Sequence, residues 1–214
     1  MPEELRLAFH KKLEEVEEKT QQLFGLVIEA VAGATEAFLS GDREAAQAVI
    51  KRDKELDRLD SEVETLILQL FALQSPMAGD LRFLLTVLRL APELERSGDL
   101  AKKIAQRATR NVAADLTPRM RGMVEQMGHV AVEMWRMSAD AFAQRDIELA
   151  KQVEERDDEL DELHMSMLAD LVTGTVPVGI ALEMALVDRF FERLGDHAEK
   201  VAGRVAYIVS GKER

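Results

Sequence analysis

The chain has 214 residues, is 47% hydrophobic and 32% charged, carries a formal net charge of −12 and contains no cysteine. This length allows one large domain or two small ones around a sizeable core, and the missing cysteines exclude a disulfide framework, a thiolate metal site and a thiol nucleophile. The acidic balance, with no basic stretch to neutralise phosphates, argues against nucleic acid as the main partner and favours cations.

Only 12 Gly and 5 Pro interrupt a chain rich in Ala, Leu, Glu, Arg and Lys, which indicates an all-α protein of long amphipathic helices. The Met1-Pro-Glu-Glu4 start lacks the basic-then-apolar run of a signal peptide. No apolar run approaches the ~20 residues of a membrane span. A cytoplasmic protein without membrane insertion is therefore expected. The first helix, 3–39, has Leu23, Val27, Val31, Ala34 and Phe38 at helical period. After Ser40-Gly41-Asp42, the second runs over 42–73 with Val49, Leu56, Val63 and Leu70 as its stripe. Gln74-Ser75-Pro76 breaks the chain before a third helix at 77–111, in which Pro92 is expected to free the carbonyl of Leu88 and kink the axis. Residues 112–117 form a join. Three further helices follow at 117–143, 146–172 and 178–209, the last two separated by Thr173-Gly-Thr-Val-Pro177. Asp42 and Asp146 suit N-caps, and Pro76 and Pro177 suit helix starts. No segment has a strand pattern.

The chain repeats itself. Residues 41–60 and 145–164 share 10 of 20 positions, and 95–108 and 192–205 share 8 of 14. Two tandem, pseudo-symmetric three-helix bundles follow, 1–113 and 114–214. The second copy is seven residues shorter around its hairpin tip, about two helical turns. Removing one turn from each arm keeps facing positions level.

Those facing positions carry carboxylates. Asp53 and Asp57 on the second helix, and Glu95 and Asp99 on the third, pair at equal height about Pro76. Asp157 and Asp161 pair in the same way with Glu192 and Asp196, about the point between Val176 and Pro177. Residues four apart lie on one helix face, so each half can bring four carboxylates to one level of one hairpin. Most i, i+4 acidic pairs in helical proteins are solvated or paired with Lys or Arg, and Arg96 and Arg193 would be the partners here. The duplication and the shared midpoints favour a metal site instead. The stripe Leu81, Leu84, Leu88, Ala91 leads into Glu95 and Asp99, and Val178, Ala181, Ala185, Asp188 into Glu192 and Asp196. Asp53 and Asp57 flank their stripe, so a partly exposed site is expected. Gly98 and Gly195 would permit close approach. Oxygen-only ligation suits Mg²⁺, Ca²⁺, Mn²⁺ or iron, and carboxylates that bridge suit a multinuclear cluster.

Asp161-x-x-His164 is similar to the Glu-x-x-His element of carboxylate di-iron helices. Its first-repeat counterpart is Asp60, so His164 reads as a core-edge histidine sooner than a ligand. Whether Asp60, His164 or Asp188 adds a ligand stays open. His10 and His129 read as surface or packing residues, and His197, which replaces Leu100, is given no role. Met120, Met123, Met127, Met134 and Met137 gather with Trp135 on one helix and read as adaptable packing.

The runs Glu95-Arg-Ser-Gly-Asp-Leu-Ala-Lys-Lys-Ile-Ala105 and Glu192-Arg-Leu-Gly-Asp-His-Ala-Glu-Lys-Val-Ala202 resemble the E-R-x-G-D-x-A-x-x-[IV]-A motif of the PhoU family of phosphate-uptake regulators. The resemblance covers nearly the whole chain. It implies multinuclear metal clusters, one per repeat, with iron first and manganese, zinc, magnesium or calcium as alternatives. Asp53, Asp57, Glu95 and Asp99, and Asp157, Asp161, Glu192 and Asp196, would be the ligands. It also implies a non-catalytic negative regulator of phosphate import and of the phosphate-starvation response, often a homodimer. The implied partners are the ATPase subunit of the phosphate ABC transporter and a sensor histidine kinase. Pro92, and Asp188 in place of Ala91, depart from exact repetition and imply unequal sites. Two other classes compete: a carboxylate-bridged di-metal oxidase or metal-dependent phosphohydrolase, and a metal-free structural adaptor. The enzyme reading lacks paired Glu-x-x-His elements and a matched base and nucleophile.

Overall fold

A computed structural model describes residues 3–73 and 76–211. Gln74 and Ser75 of the expected first hairpin break, and Met1 and Pro2 of the start, lie outside the described residues. Six long helices follow the expected order: α1 Glu3–Ser40, α2 Arg43–Leu73, α3 Ala78–Ala108, α4 Pro118–Gln144, α5 Ile147–Val172 and α6 Val178–Ser210. The described residues contain no strand. The third helix ends three residues earlier than expected, and the join contains a short 3₁₀ turn, Val112–Asp115. Pro92 does not end α3, which continues through it to Ala108.

Local chemistry sets the boundaries. Asp42 Oδ1 accepts from the backbone N–H of Glu44 and Ala45 at 2.8 and 3.0 Å, and Asp146 Oδ1 does so from Glu148 and Leu149 at 2.8 and 3.2 Å. Both expected N-caps are present. Thr117 caps α4, with Pro118 in the first turn. Pro177 is the N-cap residue of α6, and Pro76 precedes the N-cap Met77 of α3, so both prolines sit just outside their helices. At the turn between α4 and α5, Arg145 takes the left-handed conformation that Gly41 takes in the first repeat. A side chain there costs ~1 kcal/mol. Arg145 offsets it by stacking over Phe83 and Phe142, 4.9 and 4.7 Å from the ring centroids, and by pairing with Glu17 at 2.7 Å.

The two repeats share a core. Helices α1 and α3 pack on each other and on α4 and α6 respectively, while α2 and α5 lie outside against their own repeats. Phe24 of α1 stacks near Trp135 and Phe142 of α4, and Phe142 near Phe83 of α3. Ser97 of α3 meets His197 of α6, Oγ to Nδ1 at 3.1 Å, inside the interface. His197, given no role from sequence, is thus a buried contact between repeats. It replaces Leu100 where Ser97 replaces Leu194, so the two departures from symmetry pair with each other. Met120, Met123, Met127 and Met134 are buried with Trp135, as packing residues.

One expectation fails in α1. Between Arg6 and Ser40 it contains a stretch apolar and long enough to cross a membrane. Within it Leu23, Phe24, Val27, Val31, Ala34, Ala37 and Phe38 are at most 1% exposed and form one face in the central core, so 44% of the stretch is buried.

Where α1 crosses α4, Gly128 faces Thr35, and a Cβ at Gly128 would lie 2.7 Å from Thr35 Oγ1 and 3.0 Å from its Cβ. The β-branched Thr35 cannot rotate clear of it. Gly128→Ala is therefore expected to lower stability by about 1–3 kcal/mol in urea unfolding, although alanine is the better helix former.

Candidate functional site: two carboxylate ladders

Each outer hairpin carries facing side chains at successive helical turns. On α2 and α3, Asp53 and Asp99 share the Lys102 ammonium, and Glu95 senses the charge of Asp57. On α5 and α6, Asp157 senses the charge of Asp196 and Glu192 that of Asp161. The glycines set the spacing. A Cβ at Gly98 would lie 2.7 Å from Leu56 Cδ1, and one at Gly195 would lie 2.7 Å from Leu160 Cδ2 and collide with Asp157 Oδ1. Glycine at both positions lets the second helix of each pair press its neighbour against the ladder, as expected.

The site is less uniformly exposed than its position on the stripe implied. Asp53 is buried, Glu95 and Asp99 are half-buried and Asp57 is exposed; Asp157, Glu192 and Asp196 are half-buried and Asp161 is exposed. In the first ladder, burial and the charges of Asp99, Asp57, Asp60 and Asp53 push the Glu95 carboxyl above its usual range. Burial and Asp53 push Asp57 up, opposed by Lys102. The four predicted residues of each half therefore feel one another. Among the described residues, however, no three acidic or imidazole groups are drawn together at metal-ligand distance.

What neutralises each ladder differs, and sequence reasoning missed it. In the first, Lys102 reaches across, Nζ lying 2.5 Å from Asp53 Oδ2 and 3.2 Å from Asp99 Oδ1. Those bonds raise the lysine's pKa further above its ordinary value. Arg96, the expected partner, pairs with Glu93 instead, at 2.9 Å. In the second ladder Glu199 stands in the register position of Lys102. The cation becomes another anion. Burial, followed by Asp161, Glu199, Asp196 and Glu192, pushes Asp157 up to about 7, and burial with Glu154 and Asp196 pushes Glu199 up. The signal was present in the repeat alignment as a reversal of sign one turn beyond each conserved aspartate.

A further rung follows at the other end of the second ladder. His164 Nδ1 lies 2.7 Å from Asp188 Oδ2, and Asp188 is fully buried. Its first-repeat counterparts are Asp60 and Ala91. Arg189 pairs with Glu192 Oε1, but Glu192 Oε2 and Asp188 Oδ1 are buried without a hydrogen-bond partner. Buried carboxylate oxygens left so cost about 1–3 kcal/mol each, and a bound divalent cation would satisfy them. The second ladder therefore has carboxylate oxygens chemically suited to a cation, although among the described residues they are not drawn together at ligand distance. The first already holds an ammonium.

The PhoU domain profile matches this chain twice, over residues 20–108 and 124–205. The chain belongs to the PhoU family. A Mycobacterium tuberculosis protein named phosphate-specific transport system accessory protein PhoU homolog 2 is 33% identical over 210 residues, 97% of this chain and 99% of that one. A Caulobacter vibrioides PhoU homolog is 30% identical, over all of this chain and 94% of its own length. The crystal structure of PhoU from Pseudomonas aeruginosa superposes with a TM-score of 0.89 at 30% identity, over 95% of this chain and all of that one. The PhoU structure from Streptococcus pneumoniae, at 23% identity and a TM-score of 0.85, shares the fold, over 96% of this chain and 99% of its own.

The charge asymmetry between the ladders has a pH consequence. Asp157 is raised in the folded state above its ordinary value, so the folded chain binds its proton more tightly than the unfolded chain does. The stability it contributes is fully present below about pH 4 and is lost as pH rises through about 7. Chelator-treated protein should melt higher at pH 5 than at pH 8. Asp157→Asn should flatten that difference and raise the melting temperature at pH 8, by about 2–4 °C for each 1 kcal/mol relieved.

Proposed function

We propose that this PhoU-family chain is a non-catalytic accessory regulator of phosphate transport that holds down phosphate import and the starvation response. It works in the cytoplasm through contacts with the ATPase subunit of the phosphate ABC transporter and with a sensor histidine kinase. The observation that carries this reading is the near full-length match to proteins named as accessory components of phosphate-specific transport systems. The fold agrees with it: the helices bury their apolar faces in one core, and the chemically distinctive groups lie along the outer hairpins, where a partner has access.

In this reading the ladders give the surface its charge. The second binds divalent metal, iron, manganese or zinc, through Asp157, Asp161, Glu192 and Asp196. There the metal supplies positive charge and crosslinks α5 to α6. The first, with Asp53, Asp57, Glu95 and Asp99, is neutralised by Lys102, and a metal entering it must displace that ammonium. An enzyme reading has less support. Turnover needs a nucleophile and base matched in a cleft, whereas these carboxylates line the open side of a hairpin.

Deleting the gene in its own host should switch on a phosphate-starvation reporter in phosphate-replete medium, and tagged protein should co-purify with the transporter ATPase subunit. A reporter that stays repressed, with no ATPase recovered, would overturn the assignment.

A further inference from the structure

The rung His164–Asp188 has no equivalent in the first repeat, and its geometry is that of an oriented ligand. His164 Nδ1 and Asp188 Oδ2 lie at hydrogen-bonding distance, 2.7 Å apart. In the arrangement with an ionised carboxylate and a neutral imidazole, Nδ1–H donates to Asp188 and Nε2 keeps its lone pair. A histidine that ligates a metal through one nitrogen is commonly held by a carboxylate on the other, which fixes the ring and raises its basicity. His164 lies one helical turn beyond Asp161, and Asp188 one turn before Glu192, so the pair continues the face that carries the ladder. The His164 side chain is 17% exposed and that of Asp188 is fully buried.

A plain ion pair tying α5 to α6 does not account for the neighbouring atoms. Asp188 Oδ1 and Glu192 Oε2 are both buried and without a hydrogen-bond partner, one on the rung itself and one on the next. Glu192 also senses His164 electrostatically, so the two rungs are close. A cation at this end of the ladder would draw on the His164 imidazole of α5 and on the unsatisfied oxygens of Asp188 and Glu192 on the neighbouring turns of α6.

We infer that His164 is a metal ligand through Nε2 in the second repeat, with Asp188 as its positioning residue. The second site is thereby a mixed nitrogen and oxygen site that prefers Zn²⁺ or Fe²⁺ to Mg²⁺ or Ca²⁺. This inference rests on the reading of the second ladder as a metal site and narrows the class of metal. The first repeat, with Asp60 and Ala91 at the corresponding positions, has neither the imidazole nor its orienting carboxylate.

The test is Zn²⁺ binding by competition with a chromophoric chelator, together with X-ray absorption of the Zn²⁺-loaded full chain, for wild type, His164→Gln, Asp188→Asn and Asp196→Asn. Circular dichroism checks the fold of each. Wild type should show imidazole scattering around zinc. His164→Gln should lose it and bind Zn²⁺ at least ~10-fold more weakly, with Mg²⁺ binding unchanged. Asp188→Asn, which keeps a hydrogen-bond acceptor, should weaken Zn²⁺ by about 10–100-fold and guards against a folding defect in the histidine variant. An all-oxygen shell in wild type would overturn the inference. So would a His164→Gln variant that binds Zn²⁺ as wild type does while Asp196→Asn does not; that pattern leaves the carboxylate site standing. Wild type that binds no Zn²⁺ overturns the histidine role and the metal reading together.

Discussion

Carboxylates stacked at equal height on two packed helices repel one another, and the hairpin closes only if something offsets that repulsion. Water does so for Asp57 and Asp161 at the rim. It does so poorly for Asp53, Asp157 and Glu192, which packing draws toward the core. The charged form of such a group is stabilised by an opposite charge or abandoned by protonation. The first repeat uses an opposite charge of its own, the Lys102 ammonium lodged between Asp53 and Asp99. The second has Glu199 there, and its Asp157 holds a proton until about pH 7. One fold, copied twice, thus contains a closed form and an open form of the same acidic face.

The bundle makes that face possible. Four helices, α1, α3, α4 and α6, form the shared interior through Phe24, Phe83, Trp135 and Phe142 and the Ser97–His197 contact. This leaves α2 and α5 as outer staves, each packed on one side and free on the other. A ladder between an inner and an outer stave is half-buried by construction, deep enough to perturb its carboxyls. The small residues Gly98 and Gly195 set how deep it lies.

The fold was legible because helical period, N-cap aspartates and an ungapped repeat all gave the same answer, and the seven-residue deletion kept the rungs level. The carboxylates singled out from the sequence sense one another's charge across their hairpins, but among the described residues they do not gather at metal-ligand distance. What sequence reading mishandled was sign and depth. Arg96, the neutralising partner expected from the sequence, turns along its own helix to Glu93, whereas Lys102, six residues further on, crosses between helices. His197 carries no signal in the sequence because its repeat partner is Leu100, and only the packing of α3 on α6 brings Ser97 opposite it. Asp53 flanks its apolar stripe in the sequence, yet it is buried, because Leu56 seated against Gly98 draws that turn of α2 inward. The apolar length of α1 was underestimated because scattered small and polar residues hide it.

The chain thus has one acidic face that carries its own ammonium and one that has a glutamate at the same register position. A partner reading both would sense the difference between them. In our account the residue that decides which face is which is the one at register position 102 or 199. The direct measurement is therefore metal content after saturation with Zn²⁺ and removal of excess, for wild type and for Glu199→Lys, which places in the second ladder the ammonium that the first one has. Glu199→Lys should fold with unchanged helicity and bind less Zn²⁺ than wild type by the share proposed for the second repeat. A folded Glu199→Lys protein that retains the full wild-type metal content would contradict it.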